Sequence, residues 1–126
     1  MTDPGPTEYV IEHGDEGLEL REPGARRGFR VDLTTIDIRT GPGNLSRKQP
    51  LRRAVGDQHE TVVDATAGFA HDAALLALMG FRVTAIERHP LAAALVRDAL
   101  ERARAHPEYG PRLEGHLDLV EGDART

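Results

Sequence analysis

Two features of the sequence predict an α/β fold in which a Rossmann-like parallel sheet is preceded by a small N-terminal β-hairpin segment. Short apolar runs at residues 61–64, 82–86 and 117–120 have the length and composition of buried strands. Two segments with helical periodicity, 69–79 and 90–105, separate these runs, and such alternation is typical of parallel βαβ units. Right-handed crossovers then predict that the strands pair in the order third, second, first.

The first βαβ unit is expected to form a ligand site. Thr61, Val62 and Val63 are β-branched and predict a strand buried on both faces, which a tight turn over Asp64–Gly68 joins to the first helix. The second strand ends on Glu87, 19 residues after Gly68. A nucleotide-type βαβ unit places the acid that holds a ribose at about this distance.

The turn between the first strand and the first helix indicates the charge of the ligand. A dinucleotide site needs several glycines, but this turn has only Gly68, and Ala70 stands where a second glycine would be. Asp64 and Asp72 would also repel a diphosphate, so a cationic ligand such as S-adenosylmethionine (SAM) fits better. His71 lies beside Asp72 and is a candidate pocket residue. The alternative is an ordinary strand–turn–helix with a capping Asp and a solvated Glu.

The residues of this turn and of the second strand carry a family resemblance. The run Val63–Ala73 (VDATAGFAHDA), the pair Arg82-Val83 and the run Glu87–Pro90 (ERHP) resemble the RsmJ family of SAM-dependent methyltransferases. That family modifies a guanine N2 in small-subunit ribosomal RNA. The sequence departs from the family pattern at Ala70, which replaces a second glycine, and at His71, where arginine is common.

The resemblance implies a partial class I methyltransferase fold with SAM as cofactor. In such enzymes an Asp at the end of the third strand commonly binds the adenine amino group, and Asp123 occupies that place, although a loop Asp that forms its own turn is an equally good interpretation. The implied cofactor-binding residues are Asp64, Thr66, Gly68, His71, Asp72, Glu87, Arg88, Asp123 and Ala124.

The net charge of −5 hides a strong segregation of charge along the chain. Residues 1–20 contain six acids and no Lys or Arg, whereas residues 21–53 contain nine bases against three acids, a net charge of +6. A phosphate-binding surface is therefore expected on the second segment, unless these bases only form a solvated face. The predicted contacts to small-subunit ribosomal RNA are Arg47, Lys48, Arg52 and Arg53.

The chain divides into three predicted segments. Residues 1–17 are rich in Gly and Pro and are expected to be a flexible N-terminus. Residues 18–56 are expected to hold a hairpin, in which Leu18–Leu20 pairs with Phe29–Leu33 across a Pro23-Gly24 turn, followed by a basic helix at about 46–55. Residues 57–126 form the first half of the SAM-binding domain.

Several classes of protein are disfavoured by the sequence. Because the chain has no cysteine, it has neither a disulfide framework nor a thiol nucleophile. The six histidines show no metal-ligand spacing, so no metal is expected. No apolar run approaches the roughly 20 residues of a membrane span, and no signal peptide is evident, which makes the cytoplasm the expected compartment.

The sequence contains no candidate for the catalytic loop. Methyltransferases that act on exocyclic amines use an Asp/Asn-Pro-Pro-aromatic loop after the fourth strand, and none of the eight prolines is paired. The chain is therefore expected to be the N-terminal and cofactor-binding half of an enzyme, inactive alone, with unknown catalytic residues. The alternatives are a non-catalytic SAM-binding remnant and, less favoured, a fragment of an NAD-type dehydrogenase. The sequence leaves the oligomeric state open.

Overall fold

The computed structural model describes residues 9–26, 28–38, 61–65 and 68–122. In chain order, the elements are β1 (Val10–Gly14), β2 (Gly17–Arg21), a 3-10 helix (Leu33–Thr35), β3 (Thr61–Asp64), α1 (His71–Leu78), β4 (Arg82–Glu87), α2 (Pro90–Ala105), α3 (Tyr109–Leu113) and β5 (Leu117–Glu121). Within these ranges, no helix is both long and apolar enough to cross a membrane. The predicted basic helix at 46–55 lies outside the described residues.

The predicted parallel sheet and its strand order are confirmed. The strands β3, β4 and β5 pair in parallel in the order β3-β4-β5, with Val62 opposite Val83 and Ala85 opposite Leu119. Helix α2 has the predicted bounds, and its buried stripe includes Leu95, Val96, Ala99, Leu100 and Ala103. An apolar stripe at this spacing packs against one face of a sheet, so α2 forms part of the helical layer on that face.

The expectation that the first strand is buried on both faces is wrong. Val63 of β3 is 64% exposed, and Val120 of β5 is 48% exposed. The register places Val63 beside Thr84 and Ile86 beside Val120, on the face opposite the buried Val83. Both crossovers run in the same direction with the same hand, so α1 and α2 lie on one side of the sheet. The described helices therefore cover only one face.

The predicted N-terminal hairpin is wrong in its pairing. The hairpin is formed by β1 and β2, which pair antiparallel across Asp15-Glu16, so β1 lies within the range 1–17 that was expected to be flexible. The Pro23-Gly24 turn is present, but among the described residues it joins Leu20 to Phe29 by a single antiparallel bridge. The two-residue loop between β1 and β2 fits the twist of paired strands better than the longer loop that follows Arg21.

An ion pair on α2 joins the N-terminal segment to the helical layer. Asp98 and Arg102 lie one turn apart, with 2.9 Å between the Asp98 Oδ2 and the Arg102 Nε. The same Asp98 oxygen accepts a hydrogen bond from the amide of Leu18 at 3.0 Å, and the Arg102 guanidinium donates to the carbonyl of Val31. Both side chains are about three-quarters or more buried, so each charge compensates the desolvation of the other.

The segment after the hairpin is held by Asp32 and by a buried tyrosine. The Asp32 carboxylate caps the 3-10 helix by accepting from the Thr34 amide at 2.9 Å and from the Thr34 hydroxyl at 2.6 Å. Burial alone would raise the pKa of the Asp32 carboxyl, but the Thr34 hydrogen bonds and the charges of Arg30 and Arg102 outweigh it and lower the pKa below its ordinary value of 3.8. The Tyr109 hydroxyl donates to the carbonyl of Ile36, and burial raises its pKa.

We expect Gly17→Ala to destabilise the chain more than Gly24→Ala does. Both glycines have positive φ, +139° and +82°, so each substitution costs about 1–2 kcal/mol in backbone conformation. At Gly17, however, a Cβ would lie 2.5 Å from the Arg102 Nε and 2.8 Å from the Asp98 Oδ2, whereas a Cβ at Gly24 would meet no other described residue within 4 Å. The added disruption of these hydrogen bonds should contribute about 1–3 kcal/mol more. Urea unfolding followed by circular dichroism measures the difference.

We expect Asp32→Asn to reduce stability by about 1–2 kcal/mol near pH 6, because the amide oxygen can still accept from Thr34 but the negative charge that faces Arg30 and Arg102 is lost. The folded-state pKa is depressed, so the stabilisation is present above the unfolded pKa and is lost as the pH falls through the lower folded value. The difference between parent and variant should therefore shrink below about pH 3.8. Urea unfolding across pH 2–6 tests this. Asp118→Asn is the control, because the side chain of Asp118 is 76% exposed. A gap independent of pH would contradict the electrostatic explanation.

Candidate functional site

The carboxyl ends of the three parallel strands meet at one edge of the sheet. The strands β3, β4 and β5 end on Asp64, Glu87 and Glu121, and the register places Glu87 opposite Glu121. The amide of Gly122 also donates to the backbone carbonyl of Glu87 at 2.9 Å. Parallel sheets commonly bind ligands at this edge, beside the first βα turn.

The carboxylate of Glu87 is fixed by two backbone amides. Its Oε2 accepts from the amide of Gly68 at 2.7 Å, and its Oε1 accepts from the amide of His89 at 2.9 Å. Glu87 therefore ties the first βα turn to the end of β4. A carboxylate has about four acceptor positions, so these two bonds leave one on each oxygen for further donors.

The turn places two residues, one on each side of Phe69, in the left-handed region. Gly68 has φ of +53° and Ala70 has φ of +63°, and the Ala70 side chain is only 1% exposed. Ala70 is the N-cap of α1, so the helix begins at His71 and not at Phe69 as predicted. Asp72 lies in the first turn of the helix, which has no side-chain cap. The substitution of glycine by alanine is thus accommodated in a conformation that glycine favours.

The residues at this edge have the chemistry that a SAM cofactor requires. A Cβ at Gly68 would meet no other described residue within 4 Å, which leaves room on the described side of the turn for a ligand. The remaining acceptor positions on Glu87 suit the two hydroxyls of a ribose. His71 and Asp72 are 66% and 71% exposed, with 3.7 Å between the Nδ1 and the Oδ1. Asp64 is the last residue of β3 and precedes the first βα turn.

The other predicted site residues differ in what the structure shows of them. Arg88 is exposed and forms no ion pair with the described residues. Seven predicted residues lie outside the described ranges, so the structure does not place them: Thr66, Asp123 and Ala124 for the cofactor, and Arg47, Lys48, Arg52 and Arg53 for RNA. In the described part of the chain, no group of three or more His, Asp or Glu side chains could hold a metal ion.

The structure also contains an apolar groove that the sequence did not predict. The aromatic groove, as we call it, has a volume of about 320 Å³ and is lined by Tyr9, Leu20, Phe69, His89, Leu91, Ala92 and Leu95. Its residues come from the hairpin, the first βα turn and the start of α2. Because these segments are separate in sequence, no local pattern marks the groove. His89, on its polar side, accepts from the Leu91 amide as the N-cap of α2.

Known methyltransferases match nearly the whole chain. Curated relatives named ribosomal RNA small subunit methyltransferase J include a protein from Dechloromonas aromatica, 39% identical and matched over 95% of this chain and 51% of its own. The relative from Aeromonas salmonicida is 47% identical, matched over 93% of this chain and 49% of its own. The chain therefore spans about half the length of these relatives.

A solved structure and a family model agree with these relatives. The crystal structure of a SAM-dependent methyltransferase from Neisseria gonorrhoeae superposes with a TM-score of 0.74 and 30% identity, covering 98% of this chain and 51% of that one. The family model described as "Putative SAM-dependent methyltransferase" matches residues 4–126. The chain therefore belongs to this family of SAM-dependent methyltransferases.

Proposed function

We propose that the chain is the cofactor-binding part of a SAM-dependent methyltransferase that modifies a guanine N2 of small-subunit ribosomal RNA. The observation that carries the proposal is the Glu87 carboxylate, which two backbone amides hold at the carboxyl end of β4, beside the open Gly68 turn. An acid so placed is preorganised for a ribose diol.

Each candidate residue has a distinct task in this proposal. SAM supplies a methyl group on its sulfonium. Glu87 accepts hydrogen bonds from the two ribose hydroxyls, while Asp64 and Asp72 provide negative charge toward the cationic amino-acid end. His71 and Arg88 complete the polar rim, and Thr66, Asp123 and Ala124 are the remaining proposed contacts. The chain positions the cofactor, and positioning is the main contribution of protein to a direct displacement.

The proposed RNA substrate is supported by the relatives and by the distribution of charge. The curated relatives are named for the RNA of the small ribosomal subunit. Residues 21–53 of this chain have a net charge of +6, as expected for a phosphate-binding surface. A ribosomal RNA substrate would place the protein in the cytoplasm.

Removing the Glu87 carboxylate should weaken SAM binding. We expect Glu87→Ala to lower the affinity at least about tenfold, or about 1.4 kcal/mol, because it removes the ribose acceptors and releases the Gly68 amide. Glu87→Gln should lower the SAM affinity nearly as much, because the NH2 of its side-chain amide would face one of the two backbone N–H groups that now donate to the carboxylate. Isothermal titration calorimetry with SAM and with adenosine measures both variants.

A matched carboxylate variant separates this effect from a change in overall charge. Glu101→Ala removes an exposed acid from α2, away from the strand ends, and should bind SAM as the parent does. Asp64→Asn should weaken SAM binding but hardly affect adenosine, which lacks the amino-acid end. Unchanged SAM affinity in a folded Glu87→Ala protein would refute the ribose assignment.

The basic segment should govern the salt dependence of RNA binding. We expect replacement of Arg47, Lys48, Arg52 and Arg53 by Gln to weaken binding and to flatten the plot of log K against log salt, because each lost phosphate contact reduces counterion release. SAM affinity should be unchanged. Fluorescence anisotropy with a small-subunit ribosomal RNA fragment at several salt concentrations tests this. An unchanged salt slope would place the RNA surface elsewhere on the protein.

A further inference from the structure

The aromatic groove lies next to the proposed cofactor site. Two of its residues, Phe69 and His89, lie at the backbone amides that donate to the Glu87 carboxylate. Phe69 follows Gly68, whose amide donates to Glu87, and the amide of His89 donates to the other oxygen of the same carboxylate. The Glu87 carboxylate therefore fixes the mutual position of two sides of the groove.

Exposed aromatic side chains concentrate at this groove. The chain has only five residues of the Phe, Tyr and Trp types, and two of them, Tyr9 at 48% exposure and Phe69 at 44%, line the groove. A third, Phe29, is 47% exposed and lies outside the lining. The rings of Phe29 and Phe69 are in contact, with 4.7 Å between their centroids. Soluble chains rarely leave such rings exposed together unless the surface binds something. The remaining walls are aliphatic, from Leu20 of β2 and Leu91 and Leu95 of α2.

The size and chemistry of the groove suit one flat ring system. Its volume of about 320 Å³ is at the lower end of the about 300–1,000 Å³ typical of small-molecule sites. Tyr and Phe rings offer stacking surfaces to a nucleobase. His89 adds a polar group: its Nδ1 accepts from the Leu91 amide at 3.2 Å, so the neutral ring carries its proton on Nε2 and can donate a hydrogen bond there.

The charge beside the groove favours a nucleotide of RNA over an uncharged ligand. Arg88 immediately precedes His89, is exposed, and makes no ion pair in the described part of the chain. It can therefore meet a phosphate. Arg88 is also proposed for the rim of the cofactor site, but SAM has no phosphate for its guanidinium, whereas every nucleotide of an RNA strand carries one. An aromatic groove beside this cation therefore complements RNA better than it complements the cofactor.

We infer that the aromatic groove binds an unstacked nucleobase of the RNA substrate beside the cofactor site, with Phe69 and Tyr9 as stacking surfaces. This inference rests on the proposed function, because it assigns that function's RNA a contact on the hairpin and the start of α2. The contact differs from the basic segment: the segment binds phosphates, and the groove binds a base. A base anchored here would hold a single-stranded region of the RNA close to the cofactor.

The two tyrosines of the chain make a direct test possible. Tyr9 lines the groove, whereas Tyr109 is 8% exposed and bonded to Ile36, so it is an internal control. The chain labelled with 3-fluorotyrosine should give two fluorine resonances. A short single-stranded oligoribonucleotide should shift the Tyr9 resonance and leave that of Tyr109 in place. An abasic oligomer with the same number of phosphates should shift neither.

Two variants test the same groove by affinity. Phe69→Leu keeps an apolar side chain but removes the ring, and we expect it to weaken oligoribonucleotide binding about tenfold, or about 1.4 kcal/mol. Ala92→Leu introduces a larger side chain that narrows the groove, and it should weaken binding to a similar extent. Because leucine is a good helix former, α2 should tolerate the change. Val120→Ala, at an exposed valine of the open sheet face, is the matched control and should bind as the parent does. The Tyr109 resonance reports whether each variant is folded.

The outcomes distinguish this inference from the proposed function. A Tyr9 shift with the oligoribonucleotide supports the groove assignment whether or not SAM binds in calorimetry. A Tyr9 shift with SAM but not with the oligoribonucleotide would assign the groove to the cofactor and overturn the inference. Equal effects of the abasic and base-containing oligomers would overturn it as well, as would a Tyr9 shift that depends only on protein concentration, which would indicate a second copy in the groove.

Discussion

The ion pair between Asp98 and Arg102 holds the N-terminal segment against α2, and the aromatic groove depends on this contact. The Asp98 carboxylate accepts a hydrogen bond from the amide of Leu18 in the hairpin, and the Arg102 guanidinium donates to the carbonyl of Val31. One turn of α2 therefore holds two separate parts of the N-terminal segment. Partly buried charges tolerate such a position only when both are paired and hydrogen-bonded. A side chain at position 17 would clash with this pair.

This docking connects the N-terminal segment with the functional edge of the sheet. Once β2 is held against α2, Leu20 and the residues near Tyr9 form one wall of the aromatic groove, while Phe69 and His89 form another. The carboxylate of Glu87 fixes the second wall through the amides of Gly68 and His89. The hairpin is thus part of the surface beside the proposed cofactor site, although it comes early in the chain.

The elements predicted best are those whose pattern is local. The bounds of α2 follow from Pro90 at its start and a regular apolar stripe, and the strand order follows from the handedness of crossovers. The hairpin pairing was missed because the alternation at Leu18–Leu20 is compatible with a partner on either side, and Asp15-Glu16 gives the shorter connection. The contacts proposed for Thr66, Asp123 and the basic segment remain predictions, since these residues lie outside the described ranges.

By itself, the sequence determined the βαβ order, the place of Glu87 at the end of the second strand and the family resemblance, because strand and helix periodicity and short motifs are properties of neighbouring residues. Only the tertiary structure decided which sheet face is covered, that Glu87 binds the amide of Gly68, and that Tyr9, Phe69 and His89 line one groove. These features join residues distant in sequence. Their geometry depends on how the hairpin, the turn and α2 pack together, which no local pattern encodes.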